Sequence, residues 1–160
     1  MSKSYWLMKT EPDVFSFEDL IAMKNSTDHW DGIRNYQARN MMRDQFKKGD
    51  QVLIYHSNAT PPGIAGMAEV VKEAYPDHTA LDEGCKYYDP KSAEKGESRW
   101  VMVDVKATHR LKNFLPLPQL KEMKELDGMA LLKRGQRLSI QPVSKEEWAF
   151  IKKLAKPQKL

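Results

Sequence analysis

The apolar positions of the chain fall into short runs with different periods. Tyr5-Trp6-Leu7-Met8, inside residues 4–9 and closed by Glu11-Pro12, is short, continuous and aromatic, which predicts a buried strand. Ser16 followed by Asp19 makes a capping box, and Phe17, Leu20, Ile21 and Met23 or Lys24 keep helical spacing beyond it. A second helix over residues 35–46 places Ala38, Met41, Met42 and Phe46 on one face and Tyr36, Arg39, Arg43 and Lys47 on the other. After the turn Lys48-Gly49-Asp50, residues 52–57 form a continuous apolar run suited to a central strand. Residues 64–75 pair with it antiparallel, Gly66 marking a bulge or a close backbone approach.

The pattern dissolves over residues 76–98, an expected irregular insertion with one short helix. Residues 99–112 alternate with a period of two and are the clearest strand. Leu117-Pro118 opens a short helix over 119–124, residues 128–132 add a turn, and residues 136–142 alternate as a strand. Ser144 with Glu147 caps a final helix whose buried face is Trp148, Ile151 and Leu154 or Ala155, and five lysines from Lys145 to Lys159 read as a solvated face and tail. Strands separated by helices of unequal length, without βαβ regularity, predict one α+β domain over residues 1–160 around a curved mixed sheet or small open barrel.

One stretch fits no core pattern. Residues 28–40, DHWDGIRNYQARN, crowd an indole, a turn glycine, two arginines, a tyrosine and side-chain amides together. Trp30, between acids and just before Gly32, is expected on a loop; it suits stacking on a planar ligand and plugging a core edge equally well. Tyr36, Arg39, Arg43 and Lys47 suit a phosphate backbone or plain solvation. His56-Ser57-Asn58, at a strand end, suit a base edge or a turn.

Composition narrows the classes. A chain of 160 residues with 41% hydrophobic content fills a core. A net charge of +4 and a pI near 9.0 permit polyanion binding without requiring it. A lone cysteine, Cys85, excludes an internal disulfide, and no Cys/His spacing closes a metal site, so neither metal nor cofactor is expected. Without a signal-like start or a long apolar run, the expectation is a cytoplasmic, monomeric protein that does not span a membrane. Enzymatic patterns are weak: the four histidines are scattered, and His56 and Ser57 point to opposite faces of a strand.

DHWDGIRNYQARN, YHSN at 55–58, PGIAG at 62–66, WLMKTEP at 6–12, VKEAYPDH at 71–78, YDP at 88–90, WVMVDV at 100–105 and RLSIQP at 137–142 together resemble the EVE-domain family over nearly the whole chain. The resemblance implies a PUA-like fold, a curved mixed β-barrel with flanking helices, related to the YTH and ASCH domains. It implies a non-catalytic module that reads a modified base, chiefly a modified cytosine such as 5-methylcytosine, in DNA or RNA. The alternative is a hydrolase or other enzyme acting on a modified nucleoside or RNA, as in ASCH-like relatives. Carried over, Trp30 is the aromatic wall; Trp6, Lys9 and Glu11 line the base pocket from the first strand, and Tyr55, His56 and Ser57 from its neighbour. Asn35 and Gln37 read or brace, and Arg34, Arg39 and Arg43 hold phosphate.

Overall fold

The computed structural model describes residues 3–160. Among these, seven strands form one mixed sheet: β1 (Tyr5–Thr10), β2 (Thr27–Trp30), β3 (Gln51–His56), β4 (Gly63–Pro76), β5 (Val101–Pro116), β6 (Ile140–Val143) and β7 (Pro157–Lys159). The order is β2-β5-β4-β3-β1-β6, with β7 alongside β5 further on. Only β1 and β3 pair in parallel, in register from Tyr5↔Gln51 to Thr10↔His56. The helices are α1 (Phe17–Ala22), α2 (Tyr36–Asp44), α3 (Pro90–Lys95), α4 (Leu117–Lys121) and α5 (Lys145–Ala155).

The continuous apolar runs arise because the central strands are covered on both faces. Trp6, Met8, Val52 and Ile54 point into one core with α1 and α2; Leu7, Leu53 and Tyr55 point into a second with α4 and α5. Both predicted capping boxes form, Ser16 with Asp19 and Ser144 with Glu147. Gly66 sits at a register shift between β4 and β5, and a Cβ there would strike the ring of buried Phe17. Asp50, itself buried, accepts from Trp6 Nε1 at 2.9 Å, Lys47 N at 2.9 Å and Ser4 N at 3.1 Å, which fastens β1 to the turn before β3.

Several elements differ from expectation. Trp30 is not on a loop: it ends β2, paired with Val103, and is only 7% exposed. Thr27-Asp28-His29-Trp30 has no apolar alternation to announce it, and the strand is set by the edge of β5. β7 was expected as helix face and tail; it forms because Lys156 takes a left-handed turn (φ 50°) that returns the chain to β5. The strand expected over 136–142 shortens to Ile140–Val143, and that over 99–112 runs on to Pro116. The insertion gains a 3-10 turn, His78–Leu81, besides its expected short helix.

Gly66→Ala is expected to lower unfolding free energy by about 1–3 kcal/mol, since Phe17 has no free volume to enter. The check is a urea titration in which the midpoint falls while the slope is unchanged.

Candidate functional site

The parallel pairing of β1 with β3 brings two strand ends to one place. Ser57 N donates to the Thr10 carbonyl at 2.9 Å, and Asn58 Nδ2 donates to Glu11 Oε1 at 3.1 Å. Beside these ends lies a cavity of about 1000 Å³. Lys9, Glu11 and Ser57 line it from the strand ends, and Phe15 from the approach to α1. Trp30, Asp31 and Gly32 line it from the end of β2, Lys86 and Tyr87 from the insertion, and Gln136 and Arg137 from the loop before β6. The insertion therefore closes one wall.

Trp30 does both jobs weighed for it. It packs in the core, edge-on to Phe15 at 6.3 Å between centroids, and it contributes to the cavity wall. Gly32 has φ +79°, and the Tyr87 ring occupies the space a Cβ would need, so this glycine is required both by its turn and by the wall.

Arg34 fixes that wall. Its Nε and Nη2 donate to the Tyr87 carbonyl at 3.1 and 2.8 Å, Nη2 to Thr79 Oγ1 at 3.2 Å, and Nη1 to Asp77 Oδ2 and the Ile33 carbonyl at 3.0 Å each. All five guanidinium donors are engaged. Asp77, fully buried, also accepts from Gly32 N at 3.0 Å and from the amide and hydroxyl of Thr79. Burial opposes its charge, but the Thr79, Gly32 and Arg34 donors outweigh that cost and hold its carboxyl below the usual range.

The other expected site residues divide between the cavity and the framework. Lys9, Glu11 and Ser57 reach the cavity with Trp30. Trp6 does not: its ring is buried, stacked on Phe46 at 4.5 Å, with its N–H on Asp50. Asn35 is the N-cap of α2, its Oδ1 accepting from Ala38 N at 3.0 Å. Tyr55 points into the second core, its ring 5.8 Å from the Lys9 ammonium. His56 Nε2 accepts from Phe17 N at 3.0 Å at the start of α1, and burial pushes its pKa below the ordinary value. None of Arg34, Arg39 and Arg43 lines the cavity. Arg34 is fully bonded; Arg39 lies 4.7 Å over the Tyr36 ring and donates to Asn40 and the Arg99 carbonyl; Arg43 is paired with Asp44 at 2.8 Å.

The cations that do line it are Lys9, Lys86 and Arg137, and the acids are Glu11, Asp28 and Asp31. Burial raises the pKa of Asp31 and lowers that of Lys9. Mixed charges of this kind suit a neutral planar group carrying both donors and acceptors better than a bare phosphate. Asp31, Lys86, Tyr87 and Arg137 were missed as site residues although the first lies inside residues 28–40 and Arg137 opens the RLSIQP block; Lys86-Tyr87 had only an aromatic in a long insertion as its signal.

The EVE domain model matches residues 4–154. Human thymocyte nuclear protein 1 is 46% identical over 165 residues, covering 92% of this chain and 72% of that protein. Among solved structures, the human THYN1 protein in complex with 5-methylcytosine-containing DNA superposes with a TM-score of 0.89 at 44% identity, covering 98% of this chain and 99% of that one. A hypothetical protein from Leishmania major gives 0.88 at 48% identity over 97% and 96%.

His56, Asp77 and, through its bidentate pairing with Arg99, Asp89 all have folded-state pKa values below their unfolded ones. Such groups add stability that is present above the unfolded pKa and lost as pH falls toward the folded one. Stability is therefore expected to decline first as pH drops below about 6.5, through His56 and the likewise lowered His109, and again below about 4, through the two aspartates. Urea midpoints from pH 8 to 3 check this, and His56→Gln, which keeps an acceptor for Phe17 N, is expected to reduce the first step and leave the share of His109.

Proposed function

The chain belongs to the EVE domain family, and we propose that it is a non-catalytic DNA-binding module that holds a modified cytosine in the cavity beside Trp30. The observation that carries this reading is the meeting of Trp30 and Phe15 with Glu11, Asp31 and Lys9 around one cavity. Further support comes from the human THYN1 protein, similar along the chain and solved with 5-methylcytosine-containing DNA. The PUA-like α+β fold it shares brings the strand ends, not the sheet faces, to the cavity.

A base entering the cavity must leave its stack, at a few kcal/mol in a duplex. Stacking on an aromatic returns about 1–3 kcal/mol per base. Burying one added methyl is worth only about 0.8 kcal/mol, or roughly a fourfold preference. Sharper selection needs the hydrogen-bonding edge. Cytosine offers an exocyclic amino donor, for which a carboxylate is a natural acceptor, and ring acceptors, which suit Lys9. Glu11 and Asp31 are the carboxylates proposed for that edge, with Ser57 beside them. Lys86 and Arg137 at the rim, with exposed Lys133 and Arg134 in the same loop, are the cations proposed to meet phosphate. We take the protein to act as a monomer in the cytoplasm, a compartment that suits the free thiol of Cys85.

Fluorescence anisotropy with oligonucleotides carrying cytosine or 5-methylcytosine tests the reading. Wild type is expected to favour the modified strand by about fourfold or more; equal affinity for both sinks the proposal. Asp31→Ala is expected to weaken binding to both strands by about 1–3 kcal/mol, because the amino group proposed for it is common to cytosine and 5-methylcytosine. Arg137→Ala is expected to weaken both alike and to reduce the salt slope by about 1.

A further inference from the structure

Away from the cavity, residues 108–113 of β5 lie against residues 152–160 of α5 and β7. β7 pairs with β5 from His109↔Lys159 to Leu111↔Pro157, and Lys112 N donates to the Lys156 carbonyl at 3.2 Å. These two segments hold six of the 26 Lys and Arg and none of the 22 Asp and Glu, so the rest of the chain is net acidic although the whole is +4. Lys112, Lys152, Lys153, Lys156 and Lys159 are exposed, and among the described residues the one ion pair in this patch joins Arg110 to Glu18 of α1 at 2.8 Å.

The helix dipole accounts for Lys152 and Lys153 in the last turn of α5, but not for the lysines on β5, on β7 and after the helix. His109 lies half-buried close to both Lys152 and Lys159; burial and these two ammonium groups push its pKa below the ordinary value. Lys152 of the helix and Lys159 of β7 thus converge on His109. Like charges gathered with one acid, Glu18, already taken by Arg110, repel one another, and a polyanion relieves that repulsion while releasing its own counterions. Phe114, 40% exposed in the same strand, adds a ring on which a base can stack.

We propose that this face of α5, β5 and β7 is a second nucleic-acid contact, gripping the sugar-phosphate backbone without regard to base or modification. It rests on the reading of the chain as a DNA-binding module, yet none of its residues lines the cavity, so the two are separable. An anionic membrane fits less well, because Phe114 and Leu160 are the only large exposed apolar side chains here, fewer than an amphipathic anchor uses.

The test is the combined variant Lys152→Gln, Lys153→Gln, Lys159→Gln, titrated with unmodified and 5-methylcytosine duplexes between 50 and 200 mM salt. The expected result is at least about a tenfold loss of affinity for both duplexes at low salt and a log–log salt slope shallower by about 2–3, with the ratio between duplexes unchanged. Asp31→Ala is expected to weaken both duplexes while leaving the slope in place. Unaltered affinity and slope in a triple variant with the wild-type urea midpoint overturn the proposal, and so does loss of binding to phosphatidylserine vesicles with duplex affinity intact. If wild type shows no preference for the modified duplex, the cavity reading fails, and a shallower slope in the triple variant still supports the lysine face.

Discussion

The ion pair between Arg34 and buried Asp77 is the constraint on which the cavity depends. The segment after β2 and the insertion between β4 and β5 have few apolar residues with which to pack, and they approach each other across more than forty positions of sequence. Arg34 supplies donors to the Ile33 and Tyr87 carbonyls and to Thr79, while Asp77 receives Gly32 and Thr79, so five backbone or side-chain groups from both segments are satisfied at one point. A buried pair of this kind contributes modestly in net terms, but removing one partner costs about 3–5 kcal/mol because the other is left charged and unpaired. The pair therefore acts as a specificity device: it admits one arrangement of Trp30, Gly32 and Tyr87.

The same device recurs at two other places. Asp50 gathers Ser4, Lys47 and the Trp6 indole; Asp89 gathers Ser92, Arg99 and the Trp100 indole, with Arg99 Nε at 2.6 Å. In each case a buried carboxylate ties irregular backbone to the sheet, twice through a tryptophan N–H. Apolar alternation decides where the strands lie, and these acids decide how the connections lie on them.

That division explains what could be read from the residues alone. The central strands β1, β3, β4 and β5 and the helices α1, α2 and α5 were legible because periodicity and capping boxes are local signals. β2 and β7 were not, since four polar-rich residues and Pro-Gln-Lys pair only because β5 presents an open edge. Of the residues expected at a ligand, largely from the family resemblance, Trp30, Lys9, Glu11 and Ser57 line the cavity, while Trp6, Asn35, His56 and Arg34 are occupied by the framework instead. An arginine in a suggestive stretch does not disclose its partner; Asp77 stands 43 residues away.

The distribution of charge bears on how such a protein divides affinity from selectivity. The cavity mixes carboxylates with cations and offers little net attraction to a polyanion, whereas the proposed face around β7 gathers lysines and its one acid, Glu18, is taken by Arg110. Phosphate contacts position a strand without reading it, and base-edge contacts read without much long-range pull. A single site made to do both would have to surround its carboxylates with enough positive charge to draw in the backbone, and the same cations would then pair with Glu11 and Asp31 and compete for the acceptors proposed for the cytosine amino group. Keeping the two apart leaves those acceptors available.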